Sequence, residues 1–221
     1  MCDSLPYNLD VLEIIQGANS LKKGQHFVNI LTPSIGVGGY CLTKDPWFLA
    51  TLGKKNGASM RLSQAGRSVN DKMPYYSADS VIHFFKRHKI LPESLKVAIL
   101  GYSFKTNSGD VRFSPMEKFV EALYEADVMN VNVFDSTISE TAISDSRVFK
   151  SSTWQECIKD ADCVVFGASH DDIASISTVA IARSMKTNGL VFDGRRYFSK
   201  DEINVLKQSG LEYLGIGRSF S

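Results

Sequence analysis

Residues 34–48 read SIGVGGYCLTKDPWF, with Gly36, Gly38 and Gly39 just ahead of Cys41, and Lys44-Asp45-Pro46 just behind it. Glycine has no Cβ, so such a run lets backbone pass close to a ligand or adopt positive φ. A thiol leaving that loop meets whatever the loop cradles. It would attack as a thiolate, and Lys44 together with helix-end amides could stabilise that anion. The competing reading is a glycine-rich connector with an incidental cysteine, and Asp45 reads equally well as a structural N-cap. A stand-alone cysteine hydrolase would also need a histidine partner. The four histidines, His26, His83, His88 and His170, have no recognisable context.

A second stretch able to do chemistry is GYSFKTNSGDVRFSPMEKF, residues 101–119. Ser114, Pro115 and Glu117 form the pattern of a capping box opening a helix. Lys105 and Arg112 would add positive charge to the helix-end amides, which suits a phosphate. The stretch is neither a Walker loop nor G-x-G-x-x-G, and a surface loop with two solvated cations is the alternative. Asp193-Gly194-Arg195-Arg196 supplies further positive charge. Both basic clusters follow predicted strands, and one parallel sheet would bring its carboxyl ends to the same edge.

The elements that must position these groups fall into two regimes. Val11, Leu12, Ile14, Ile15 and Ala18 make an apolar helical stripe with Gly24 as its stop. Residues 25–45 lack helical period and read as a long loop, with a helix opening at Pro46 behind an Asp45 N-cap. From Met60 to about His88, Leu62, Ala65, Val69, Met73, Tyr76, Val81, Phe84 and Phe85 recur at helical spacing, with a kink or break expected at Pro74. Beyond Leu91-Pro92 the grammar changes. Strands are predicted at Lys96–Leu100, Asn130–Phe134, Cys163–Gly167, Leu190–Phe192 and Glu212–Leu214, and helices near 115–126, 153–160, 173–184 and 199–208. That rhythm predicts an α/β fold: a helical region over residues 1–92, then a doubly wound parallel sheet over 93–221.

The bulk numbers exclude more than they assign. The 221 residues carry a formal net charge of +1, which offers no electrostatic case for nucleic acid or an anionic membrane surface. Four cysteines without a C-x-x-C pair imply neither zinc nor a disulfide framework, and Cys157 and Cys163 sit in apolar runs that read as buried packing. The first ten residues have no signal-peptide pattern, and no apolar run reaches the ~20 residues that span a bilayer. The expectation is a cytoplasmic chain.

Taken together, G-V-G-G-Y-C-L-T-K-D-P, Arg67-Ser68-Val69-Asn70-Asp71, Met73-Pro74, L-G-Y-S-F-K-T-N-S-G-D-V-R-F-S-P, F-D-G-R-R and G-I-G-R resemble, in order and spacing, the UDP-glucose/UDP-N-acetylhexosamine dehydrogenases. The resemblance implies a four-electron oxidation of a UDP-sugar C6 alcohol to a carboxylate by two NAD, through a cysteine thiohemiacetal and thioester. It implies Cys41 as nucleophile and Asp45 as the aspartate assisting hydrolysis. It implies Thr32, Pro33, Ser34, Ile35, Gly36, Val37 and Gly38 around the sugar, and Phe104, Lys105 and Arg195 on the UDP-sugar. Lys44 and Arg112 fall to the cofactor. A homodimer through the long helix, and a Rossmann-like UDP-binding C-terminal domain, belong to the same expectation.

Asp45-Pro46 with a following aromatic is similar to the N-acetylhexosamine branch, such as UDP-N-acetylmannosamine dehydrogenases, whereas Lys44 points to UDP-glucose. Tyr40 stands where the former often has His, and Thr43 where Pro is usual. An arginine reaching the neighbouring subunit's sugar is not evident near Gln25-His26. The family's NAD-binding fingerprint and its catalytic lysine and asparagine do not occur, so the chain alone is expected to be inactive. A non-catalytic UDP-sugar-binding or dimerisation module is the alternative.

Overall fold

The computed structural model describes residues 10–20, 31–139 and 141–218. The expected stop at Gly24, the first part of the 25–45 loop, Cys2 and His26 lie outside them. Helix α1 (Val11–Asn19) starts from an Asp10 cap. Helix α2 spans Tyr40–Lys55 and α3 spans Arg61–Arg87. A 3-10 turn at Pro92–Ser94 leads into β1 (Lys96–Leu100), α4 (Pro115–Glu125), β2 (Asn130–Phe134), β3 (Phe149–Lys150) and α5 (Trp154–Ile158). Then come β4 (Cys163–Phe166), α6 (Asp171–Ala174), α7 (Thr178–Ser184), β5 (Leu190–Asp193), α8 (Lys200–Gln208) and β6 (Glu212–Gly215).

All neighbouring strands pair in parallel, in the order β3-β2-β1-β4-β5-β6. Side chains alternate between the two faces along each strand. Val97 and Ile99 of β1, Val131 and Val133 of β2 and Phe192 of β5 join the core under α3 and α4. Ala98 and Leu100, Val164 and Val191 face the other way, toward α5, α7 and α8. Both faces are therefore covered, as a parallel sheet requires. Ala78, Val81, Ile82 and Phe85 repeat at three- and four-residue spacing, and this C-terminal half of α3 is the part that packs into the core.

The expected doubly wound α/β sheet preceded by a long helix is what forms, with three local corrections. First, α2 opens at Tyr40, not Pro46, and its cap is Gly39. Pro46 deprives the Leu42 carbonyl of its helical donor, and Arg67 Nη1 donates to that oxygen at 2.9 Å. A tertiary bond replaces the lost local one, so the helix runs through. Second, α3 is continuous through Pro74. Third, residues 171–184 form two short helices, because Ser177 caps the Ala180 amide and starts α7 afresh. Strand β3 is unforeseen; two residues are too few to show a period.

Candidate functional site

The strand order reverses between β1 and β4, so the loops leaving their carboxyl ends part to opposite faces and open a crevice. A cavity of about 540 Å³ lies there, lined by Thr32, Pro33, Ser34, Gly36, Val37, Gly38, Leu12, Leu42, Phe104, Lys105, Ser169, Arg195 and Arg196. The glycine loop and both basic clusters thus meet in one place. A larger cavity of about 780 Å³ between α3, α8 and β6 contains none of these groups. We place the site in the smaller one, because the glycine loop meets Lys105 and Arg195 there, neither in an ion pair among the described residues.

Three tethers hold the loop ahead of α2. Asn70, on α3, accepts the Val37 amide at 3.0 Å and donates back to the Val37 carbonyl at 3.3 Å. The Ile35 amide donates to the Gly194 carbonyl, and the Gly39 amide to the Arg112 carbonyl, each at 3.2 Å. Ile35 itself is fully buried and serves as the loop's anchor, not as cavity lining. The glycines have a concrete cause. A Cβ on Gly38 would lie 2.6 Å from the Phe104 Cβ, and one on Gly39 would lie 2.8 Å from the Phe104 ring. Gly39 also has φ 83°, a conformation other residues adopt only at a cost. These two glycines make room for Phe104 against the loop.

Cys41 is the second residue of α2 and is exposed. It precedes cavity-lining Leu42 by one position. Asp45 is one turn further along the same helix, and Lys44 is bound to it at 3.1 Å while lying 4.8 Å from the Phe48 ring centroid. Cys157 and Cys163 are fully buried; burial pushes the Cys157 thiol up to about 12 and raises that of Cys163 as well. Of the described cysteines, Cys41 is the one open to solvent.

Lys105 is exposed at the cavity rim, and Phe104 is half-buried beside it. Arg195 is the most informative side chain. Its Nε donates to Ser169 Oγ at 3.1 Å, and among the described residues no carboxylate lies in ion-pair contact with it. Burial pulls its pKa below the ordinary value, partly opposed by Tyr197. A guanidinium taken from water without an anion is costly.

Arg112 departs from expectation. It is exposed and bonded twice to Asp110, at 2.7 and 2.5 Å, with its guanidinium carbon 4.9 Å from the Tyr40 ring centroid. That bond holds the Asp110 carboxyl at about 2. Arg112 does not line the cavity. The helix-end anion site expected at Ser114-Pro115 is closed as well. Ser114 Oγ accepts the Met116 amide and donates to the Tyr102 carbonyl at 2.5 Å, and both Ser114 and Pro115 are buried.

Sequence reasoning missed the groups that support this edge. Asp135, after β2, accepts the amides of Tyr102 and Ser103 at 2.8 and 2.9 Å. Buried His170 accepts the Asn107 amide on Nδ1, so we assign its proton to Nε2, which faces Ser103 Oγ (2.9 Å) and Asp135 (3.1 Å). One nitrogen serves both neighbours, so Ser103, His170 and Asp135 are not arranged as a nucleophilic triad. They fix the loop carrying Phe104 and Lys105. Nothing local in H-D-D marks that role.

Two family descriptions match the chain: the UDP-glucose/GDP-mannose dehydrogenase family central domain over residues 1–72, and the UDP binding domain of the same family over residues 98–200. The UDP-N-acetyl-D-mannosamine dehydrogenase of Pyrococcus horikoshii is 31% identical over 214 residues, covering 96% of this chain and 45% of that protein. That of Methanococcus maripaludis is 33% identical over 220 residues, covering 98% and 46%. The crystal structure of an NDP-N-acetyl-D-galactosaminuronic acid dehydrogenase from Methanosarcina mazei superimposes with a TM-score of 0.80 at 29% identity, covering 96% of this chain and 44% of that one. The chain spans about half the length of the curated relatives it matches.

Proposed function

The chain belongs to the UDP-glucose/GDP-mannose dehydrogenase family, and from that premise we propose that its 540 Å³ cavity takes the UDP moiety of a UDP-N-acetylhexosamine, such as UDP-N-acetylmannosamine. On this reading residues 1–92 are the central region of an NAD-dependent UDP-sugar 6-dehydrogenase and 93–221 its UDP-binding domain. The observation that carries it is the half-buried Arg195 guanidinium, which lacks an anionic partner among the described residues and shares the cavity with Lys105. A diphosphate supplies the missing charge to both. The N-acetylated sugars in the relatives' names favour that branch over UDP-glucose.

Thr32, Pro33, Ser34, Gly36, Val37 and Gly38 line the wall on which the sugar rests, ahead of Cys41. Cys41 Sγ adds to the carbonyl of a C6 aldehyde: the S–C bond forms, the π pair moves to oxygen, and that oxygen takes a proton. Carrying that adduct to a thioester would take a hydride acceptor from outside the described residues, and Asp45, one turn on, would then orient the hydrolytic water.

The described residues do not fit NAD. At the start of α4, Ser114 is buried and bonded within the chain, and the cavity beside it and Pro115 is about 90 Å³, too small for a dinucleotide. Lys44 and Arg112 are paired at the surface. No step here is routed through that cofactor, and a binding module without catalysis is the second reading this observation favours. The exposed N-terminal half of α3, with Leu62 and Val69, we assign to a second copy of the chain.

Calorimetry with UDP tests the site. Each charge-assisted contact to phosphate contributes about 1.5–3 kcal/mol, so Lys105→Ala and Arg195→Ala should each weaken binding roughly ten- to a hundredfold. Equal affinity in wild type and both variants would place the nucleotide elsewhere.

A further inference from the structure

Arg195 and Arg196 are neighbours whose guanidinium groups are engaged in different places. Arg195 reaches Ser169 in the cavity. The Arg196 side chain is fully buried and donates from Nη2 to Asp10 at 2.6 Å and from Nη1 to the Ile216 carbonyl at 3.3 Å. Arg196 has φ 62°, the left-handed region that a side-chain-bearing residue enters only when its surroundings compel it. Asp193 fixes that backbone by accepting the Arg195 and Tyr197 amides on either side, whereas the Arg196 side chain is held from another element. Asp10 caps α1 by accepting the Leu12 amide, takes Arg196 on the same oxygen, and takes Arg218 Nε and Nη2 on the other at 2.8 and 2.6 Å. Its side chain is 9% exposed. Burial by itself would raise the Asp10 pKa, yet the Leu12 amide and the two arginines together hold it below the ordinary carboxylate range.

Asp193 sets the backbone of the same turn from inside the sheet. It accepts the amides of Arg195, Tyr197 and Phe198 and the Tyr213 hydroxyl. None of those bonds reaches a side chain of the arginine pair. Asp10 alone among the described carboxylates holds Arg196. The two arginines on Asp10 still have donors to spare: Arg196 Nε and Arg218 Nη1 are buried with no acceptor among the described residues. One carboxylate facing two guanidiniums leaves net positive charge at a corner where Asp10 and Arg218 border the larger cavity and Arg196 borders the smaller one. Leu12, two residues past Asp10, is part of the cavity wall.

We propose that Asp10 is a positioning residue for the anion cavity: by holding the Arg196 side chain against the start of α1 it keeps the turn that carries Arg195 directed at the diphosphate, and so ties α1 to the nucleotide edge of the sheet. This rests on the UDP reading of the cavity given above.

A double-mutant cycle read by UDP calorimetry on the full chain separates this role from a merely structural one. Asp10→Asn should weaken UDP about tenfold when Arg195 is present, and no more than about twofold in the Arg195→Ala background. Asp10→Glu, which keeps the charge, should recover most of the loss. Wild-type affinity in Asp10→Asn, or the same fold loss in both backgrounds, would overturn the proposal. If Asp10→Asn does not fold by circular dichroism, Arg196→Lys replaces it in the cycle. It should lose three- to tenfold with Arg195 present and nothing without it, and equal losses would again overturn the role. Unchanged affinity in Arg195→Ala itself would instead remove the UDP reading, an outcome distinct from all of these.

Discussion

On the sheet side of the cavity, Arg195 hangs from a turn whose fully buried Asp193 accepts three backbone amides and the Tyr213 hydroxyl. On the helical side, Cys41, Lys44 and Asp45 stand exposed on the first turns of α2, beside exposed Tyr40, Leu42, Phe48 and Leu52. The sheet side satisfies most of the polar groups around this turn internally, and Arg195 and Lys105 have no ionic partner among the described residues. The helical side leaves its reactive groups and a run of large apolar side chains open. On the proposed reading, the groups assigned to binding are held by the sheet, whereas those assigned to chemistry are exposed.

That contrast is open to direct attack, starting in the sheet. Phe119 is fully buried, stacked 6.4 Å from Phe192 across the α4–β5 contact. Phe119→Ala should cost about 3–5 kcal/mol in urea unfolding, the largest effect of any change here. A loss under 1 kcal/mol would mean that the sheet side is not the rigid half.

Next comes Asp135, which gathers Tyr102, Ser103, Thr137 and His170. Asn offers one acceptor oxygen and turns two donors toward donors, so Asp135→Asn should cost about 3 kcal/mol at pH 7. The pH sign follows from the direction of the shift. Burial works to raise the Asp135 pKa, but the His170, Ser103, Thr137 and Tyr102 bonds carry it below its ordinary 3.8. Its stabilisation is therefore complete above about pH 3.8 and lost as pH falls from there through the lower folded value. The acid limb of the unfolding profile should be flatter in Asp135→Asn than in wild type; parallel limbs would refute the assignment.

How much of this was readable beforehand follows the same division. The strands were legible because a doubly covered parallel sheet needs short continuous apolar runs, as in KVAIL and CVVF, while NVNVF showed itself by β-branched valines in alternation. The meeting of Lys105 with Arg195 followed from both standing at carboxyl ends of one sheet. The groups that orient them did not follow. Asp10, His170 and Asp135 hold these partners across 32 to 208 positions of sequence, and no local pattern encodes such partners. The start of α2 was misplaced for a related reason: the local proline rule holds unless a distant donor satisfies the orphaned carbonyl, and Arg67 is that donor.

Arg67 is accordingly the place to sharpen the comparison on the helical side. It is 5% exposed, pairs with Asp71 at 2.6 Å and holds the Leu42 carbonyl. Arg67→Ala should cost about 2 kcal/mol, between the sheet changes and a surface change. More tellingly, amides 40–45 should exchange faster while those of β1 and β5 stay protected, and Cys41 should be alkylated faster. Uniform exchange across both sides would show that α2 does not depend on this bond.

The smallest effect on stability belongs to Leu62, which is 91% exposed near the start of α3. Removing it from a lone chain touches no core contact, so Leu62→Ala should shift the unfolding free energy by less than about 0.5 kcal/mol. The same side chain has a second readout. Fully burying a leucine stabilises by about 1.5–3 kcal/mol. If a second copy covers this half of α3, the substitution should therefore raise the dimer dissociation constant roughly ten- to a hundredfold in sedimentation equilibrium. A small effect on folding with a large effect on association is what an interface residue on the helical side must give. Small effects on both, with wild type already a monomer at micromolar concentration, would assign the exposed apolar residues of α2 and α3 to some partner other than a second copy.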